Sequence, residues 1–269
     1  MSTLPFQCSA LPLSLVGVQA AAASLGVDVA TIWTILSVET PGCGFLSDRR
    51  PQILYERHVF HSLTGGKWDL TSPNISNPQP GGYGSGGAAQ YARLAQAVAL
   101  DQDSALQSTS WGLGQVLGKN YLKVGFANVN QMVVAMCASE DLQIATVSEF
   151  IIANGLEKTL RALDWVSYAR GYNGADYAKN NYDIRLANYY VGFQGGTNVP
   201  DLTIRAAQLY LLFLGFNPQG IDGLLGNNTL TALHNFQNAN GLPLTTGIDA
   251  GVVSELAAAF PPGVNMSLT

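Results

Sequence analysis

Residues 61–90 break the pattern of everything around them. The stretch "HSLTGGKWDLTSPNISNPQPGGYGSGG" collects Gly, Pro, Asn and Ser with no apolar period. Proline removes backbone donors and glycine raises the entropic cost of order, so neither a helix nor a strand ladder is sustained there. The segment reads as an irregular loop region, long enough to line a groove. Its flanks are the opposite. Residues 14–24 and 28–39 before it, and 88–108, 128–138, 140–153, 156–170 and 175–190 after it, carry apolar and small residues at helical spacing. Asp28 is placed to cap the second helix, and Pro41 with Gly42 to stop it. Within "PQILYERHVF", Ile53, Leu54, Tyr55 and Val59 read as a short strand or extended edge. A chain arranged in this way folds mainly as α-helices with a small strand and loop region.

Residues 191–200, "VGFQGGTNVP", have the composition of a linker. The division that follows is a first domain over 1–195, a linker at 196–200 and a second unit over 201–269. In that unit Asp201 can cap a helix running to about Leu214, and "NTLTALHNFQNANG" and "GVVSELAAAF" give two more. Apolar residues three or four apart (Leu209, Leu212 and Phe213; Leu230, Leu233 and Phe236; Val252, Val253 and Leu256) supply a small three-helix bundle. Gly215 and Gly241 fit helix C-terminal positions of positive φ. Asp222-Gly223 is turn chemistry, and Thr229, Asn227 or Asn228 can cap the middle helix.

Composition narrows the function. Charged residues make up 12% of the chain, about half the usual share, and the net charge is −5. There is no basic cluster, which argues against nucleic acid and anionic membranes. A polymer bound here is recognised by shape and hydrogen bonds. No run of about 18 apolar residues predicts a membrane span. The apolar N-terminus has no Lys or Arg before Arg49, so no Sec-type export signal is expected and synthesis is placed in the cytoplasm. Cys8, Cys43 and Cys137 are widely spaced without a CxxC, which favours buried thiols over a disulfide framework. His58 and His61 lie three apart, but a third ligand and an HExxH are missing, so neither metal nor cofactor is expected.

Glu39 is the lone charged residue of "SVETPGCGF" and sits at the end of an apolar helix. The last helical turn presents unpaired carbonyls and the negative end of the dipole. Ionisation is disfavoured there, and apolar neighbours such as Ile35, Leu36 and Phe45 add desolvation. A carboxyl kept protonated near neutral pH can act as a general acid.

Two groups of motifs carry resemblances. "SWGLGQV" at 110–116 and Tyr172-Asn173-Gly174, read with Glu39, resemble the lysozyme-like superfamily, in particular goose-type lysozymes and soluble lytic transglycosylases. More closely, Val38-Glu39-Thr40, Gly44-Phe45, Arg50-Pro51, Ile53-Leu54-Tyr55-Glu56-Arg57-His58 and Phe60, followed by "GGYG" and "SWGLGQ", resemble the N-acetylmuramidase family of endolysins from phages of Gram-negative hosts. The likeness spans roughly residues 15–190. Gln208, Leu214-Gly215-Phe216, Asp222-Gly223, Thr229, Phe236-Gln237 and Gly241-Leu242 resemble a three-helix peptidoglycan-binding domain.

These resemblances imply a lysozyme-like catalytic domain that hydrolyses the β-1,4 bond between N-acetylmuramic acid and N-acetylglucosamine, causing host lysis. Glu39 is then the general acid, and Glu56 the base or electrostatic partner. Asp48 is the alternative second carboxylate, and an ion pair of Glu56 with Arg57 or Arg50 the structural alternative. A separation of about 6.5–9.5 Å between the carboxyls goes with inversion, and about 5–5.5 Å with retention. Phe45, His58, Tyr83, Ser110, Gln115, Tyr172 and Asn173 are candidates for binding sugar, and Asp222, Gly223, Thr229, Phe236 and Gln237 for the wall-binding unit. Trp111 and Tyr91 fit core packing better than sugar stacking. The family further implies a monomer acting on peptidoglycan, held in the host cytoplasm until a holin-like pore admits it to the periplasm. The rival readings are a lytic transglycosylase with 1,6-anhydro products, a Cys/His peptidase using Cys43, and a wall-binding protein without catalysis.

Overall fold

The computed structural model describes residues 5–39 and 42–260, with the backbone alone for Ala175 and Asp176. Thr40 and Pro41, read above as part of the acid motif and as the helix stop, and the C-terminal residues 261–269 of the second unit lie outside the described residues.

Two short helices open the fold, α1 (Leu15–Leu25) and α2 (Val29–Glu39). The Ser14 hydroxyl accepts the Gly17 N–H to start α1, and Gly26 ends it at φ 67°. Asp28 starts α2 as expected, accepting the Thr31 N–H at 2.8 Å. α2 is buried on almost every side, from Ile32 through Val38. Its two threonines fit because Thr34 donates to the Ala30 carbonyl and Thr31 to Asp28.

A small antiparallel sheet follows, with strands β1 (Ile53–Tyr55), β2 (Thr109–Trp111) and β3 (Val116–Leu117) in that order. Leu54 pairs with Ser110, and Trp111 with Val116. The extended reading of 51–60 is corrected beyond Tyr55. The chain turns at Glu56 into α3 (Arg57–Thr64), so Val59 is helical and buries with Phe60. The irregular stretch expected over 61–90 is shorter, since α3 takes in residues 61–64 and α4 (Ala88–Leu100) residues 88–90. From Gly65 it is stapled by Asp69, which binds His61 of α3 at 2.7 Å and the Ser76 hydroxyl at 2.5 Å.

The helical run at 88–108 is split. Asp101 leaves the helix and its carboxylate accepts the Ser104 N–H at 2.9 Å, starting α5 (Gln102–Gln107). Then come α6 (Val129–Ala138) and α7 (Glu140–Ala153). The run at 156–170 is likewise split into α8 (Glu157–Arg161) and α9 (Trp165–Asn173), with Leu163 in the left-handed region at φ 54°. α10 (Tyr182–Gln194) completes the larger core and takes in residues read as linker from 191.

The second unit holds α11 (Leu202–Phe213), α12 (Asn227–Ala239) and α13 (Ala250–Ala259). Asp201 caps α11 through the Thr203 and Ile204 N–H groups. α12 is preceded by Gly226 without a side-chain cap, so the capping role expected of Thr229, Asn227 or Asn228 is not the one observed. Gly215 (φ 88°) and Gly241 (φ 66°) take the expected left-handed positions.

α11 serves two cores. Ala207, Tyr210 and Leu211 face α12 and α13. Leu209, with Ile221, packs instead against Ala10, Cys43 and Phe45 of the first unit. The assignment of Leu209 to the bundle interior is therefore corrected.

Candidate functional site

Glu39 closes α2, and the chain brings three tyrosines to its carboxyl. Tyr168 and Tyr172 project from one face of α9, four residues apart, and Tyr182 begins α10. All three phenols are held neutral, pushed up first by burial and then by the proximity of the Glu39 charge. Oε1 of Glu39 is shut from solvent without an aligned hydrogen-bond partner, as is the Tyr182 hydroxyl beside it. Burial pushes the Glu39 carboxyl up to about 8, against the Tyr182 hydroxyl and the more distant Arg185 charge, which favour the ionised form. The carboxyl thus holds its proton at neutral pH.

Beside it opens a depression of about 480 Å³ lined by Asn173, Tyr177, Asn180, Asn181, Tyr182 and Arg185. Tyr182 and Arg185 lie three apart on one face of α10, so one side chain touches the acid while both reach this depression. Amide and phenol groups of this kind match N-acetyl and sugar hydroxyl groups, and a single guanidinium suits a carboxylate or lactyl ether.

The motif turns are knitted together behind the carboxyl. The Tyr172 hydroxyl donates to the Gly114 carbonyl at 2.9 Å. The Gln115 amide donates to the Gly112 carbonyl at 2.9 Å and to the Gln52 carbonyl at 3.3 Å, holding Gln115 itself at φ 50°. Gln143, fully buried in α7, accepts the Leu113 N–H at 2.9 Å and donates to the Met136 carbonyl at 2.7 Å. A Cβ on Gly112 would lie 2.6 Å from the Gln143 side chain, which explains that glycine.

Of the predicted residues, Glu39, Tyr172 and Asn173 come together. Glu56, Ser110 and His58 form a second cluster, in which the Ser110 hydroxyl donates to Glu56 at 3.1 Å and His58 lies 3.7 Å from it. Glu56 does not pair with Arg57 or Arg50. Asp48 does take Arg50, at 2.6 Å, and the guanidinium stacks on Tyr91. The side chain of Tyr83 is half-buried, and its carbonyl accepts from Gln90. Phe45 is corrected: it is 1% exposed and packs edge-on to Phe213 of α11, out of reach of a substrate. Trp111 and Tyr91 are core residues as expected, bonded to the Leu106 and Pro51 carbonyls.

In the second unit the motif is organised by Gln208. Its amide donates to Asp222, the Leu224 carbonyl and Thr229, and its carbonyl accepts the Gly223 N–H. Thr229, Phe236 and Gln237 are buried. A Cβ on Gly223 would meet Pro200 at 2.8 Å. These four sit in the scaffold of the unit, and of the five motif residues Asp222 alone is exposed. Among the described residues no cluster of three metal-ligating side chains occurs. Reading the sequence missed Tyr168, Tyr182, Arg185, Gln52 and Gln143. The four-residue spacing of Tyr168 and Tyr172 was the one available signal.

A mainly helical domain with a protonated carboxyl at a helix end, followed by a small helical module, defines a lysozyme-like enzyme with an attached wall-binding unit. The N-acetylmuramidase model matches residues 28–194, and the peptidoglycan binding domain model matches residues 201–248. The chain belongs to the N-acetylmuramidase family and is a glycoside hydrolase of muramidase type. Among solved structures it is similar to the crystal structure of Burkholderia AP3 phage endolysin, at 36% identity and a TM-score of 0.65, covering 72% of this chain and 73% of that one. No curated protein matches.

Proposed function

We propose that the protein is a phage endolysin that cuts the β-1,4 bond from N-acetylmuramic acid to N-acetylglucosamine, with Glu39 as the proton donor. The observation that carries this reading is the Glu39 carboxyl itself, buried beside Tyr182, which also lines the polar depression, and protonated to about pH 8. As the glycosidic C–O bond breaks, the Glu39 proton passes to the leaving oxygen and positive charge builds at the anomeric carbon. Neutral phenols leave the proton on Glu39 until that moment. Glu56, held ready by Ser110, is the proposed second carboxylate, guiding water or shielding the developing charge. Asp48 is already paired with Arg50 and is the poorer choice.

One observation favours a second reading. The groups that act on the Glu39 charge are Tyr182 and Arg185, and neither is a carboxylate. A single acid suffices for a lytic transglycosylase, in which the muramyl 6-hydroxyl takes the place of water. Mass spectrometry of fragments released from purified peptidoglycan separates the two: hydrated reducing ends support hydrolysis, and fragments lighter by one water support the transglycosylase. Glu39→Gln should release neither. A Cys/His peptidase is disfavoured, because Cys43 is buried between the two units, donates to the Phe45 carbonyl and is pushed up to about 12 by burial. Action as a monomer, and passage to the wall through a holin-like pore, belong to the same proposal.

A further inference from the structure

Glu140 begins α7 and is fully buried, yet it is a carboxylate. Four donors converge on it. The Leu13 N–H reaches Oε2 at 3.0 Å and the Gly44 N–H reaches Oε1 at 2.8 Å. The Arg205 guanidinium grips both oxygens, Nη2 to Oε1 at 2.9 Å and Nη1 to Oε2. Arg205 comes from α11, in the second unit, and is 3% exposed. Its Nη2 also donates to the Gly42 carbonyl at 2.9 Å.

The turn that begins three residues after Glu39 is therefore held at Gly42 by Arg205 and at Gly44 by the carboxylate that Arg205 neutralises. The same turn meets the motif turn beside the acid. The Gln52 amide donates to the Cys43 carbonyl at 2.8 Å, its N–H donates to the Gly44 carbonyl at 2.8 Å, and its own carbonyl accepts the Gly112 N–H at 2.8 Å. A Cβ on Gly44 would stand 1.8 Å from Gln143 Oε1, so the turn has no slack on that side. Cys43 and Phe45 complete the contact by packing on Leu209 and Ile221.

We infer that Arg205 is a positioning residue for Glu39: the C-terminal module fixes the turn behind the acid, and so contributes to the chemical step as well as to wall affinity. This rests on Glu39 being the acid. A planar, two-pronged guanidinium is required, because a lysine ammonium keeps the charge but cannot bridge both carboxylate oxygens and a carbonyl together.

The test uses full-length protein and a peptide-free N-acetylglucosamine–N-acetylmuramic acid octasaccharide, which removes wall anchoring from the measurement. Arg205→Met should lower kcat at least tenfold with KM within about threefold, and should move the alkaline midpoint of the pH profile by at least half a unit. Arg205→Lys should restore part of the loss. Leaving one partner of a buried pair is costly, so if Arg205→Met does not fold, the neutral pair Glu140→Gln/Arg205→Met decides, with the same expected losses. Wild-type kcat and an unmoved midpoint in whichever variant folds, with weaker binding to purified walls, would overturn the inference and leave the module a plain anchor. Glu39→Gln is run alongside. If it stays active, the acid assignment is what fails; if it is inactive beside a fully active Arg205→Met, only the positioning role fails.

Discussion

The Tyr172 hydroxyl donates to the Gly114 carbonyl at 2.9 Å, fastening α9 to the turn after β2 and keeping the phenol within reach of the Glu39 charge. Gly114 has φ 70°, and a Cβ there would lie 2.6 Å from Val147 and 2.9 Å from the Tyr172 oxygen. Gly114→Ala should therefore cost about 1–3 kcal/mol in urea unfolding, from left-handed backbone strain and crowding. It should also lower wall-lysis activity at least tenfold. Tyr172→Phe, which keeps the ring, should lose less. An unchanged unfolding curve for Gly114→Ala would rule out this account of the turn.

The pH profile follows from the acid. Glu39 is active in its protonated form and loses its proton near pH 8, so kcat on purified peptidoglycan should fall about tenfold per pH unit above that point. Glu39→Gln should remove at least about 100-fold of the rate at pH 6. Activity that stays level to pH 10 would show that another group donates.

Stability carries the same signature with a defined sign. The folded Glu39 carboxyl ionises near 8 and the unfolded one near the ordinary 4.5, so the folded state holds the proton more tightly. Its contribution is fully present below pH 4.5 and is lost as pH rises to about 8. Chemical denaturation of wild type and Glu39→Gln should give curves that separate in favour of the variant from pH 5 to pH 9. Parallel curves across that range would mean the carboxyl is solvated.

The two remaining carboxylates should behave differently. Glu56 keeps a hydroxyl donor in Ser110, whereas Asp48 is taken up by Arg50. Glu56→Gln should lower kcat by about 10-fold or more, and Asp48→Asn by less than about threefold at pH 6. The reverse order would exchange their roles.

Thiol chemistry should be silent. Cys8, Cys43 and Cys137 are buried, and Cys43 is pushed up to about 12 by burial. Iodoacetamide at pH 7.5 should leave lytic activity and protein mass unchanged. Loss of activity tracking the alkylation of Cys43 would revive the peptidase reading.

Local signals carried much of this fold. The Asp28 and Asp201 caps, the glycines at 215 and 241 and the irregular stretch after Gly65 all act within a few residues, where composition and spacing suffice. The misreadings have local causes too. Asp101 continues the apolar period on both sides while its carboxylate starts a new helix, and Glu56 ends a strand inside an unbroken apolar pattern. The site was legible only as far as Glu39, Tyr172 and Asn173. Phe45 read as a groove residue because its spacing matches the motif, but α11 covers it. The Glu140–Arg205 pair joins residues 65 positions apart, and no periodicity reports such a meeting.

Because α11 buries one face among α12 and α13 and another against Cys43 and Phe45, anchor and cutting edge travel as a single body. A floppy tether would let the blade sweep many strands around one moored point. With both units packed as one, the expectation is that the molecule lets go of the sacculus to reach its next bond, so that a tighter grip slows it on intact wall.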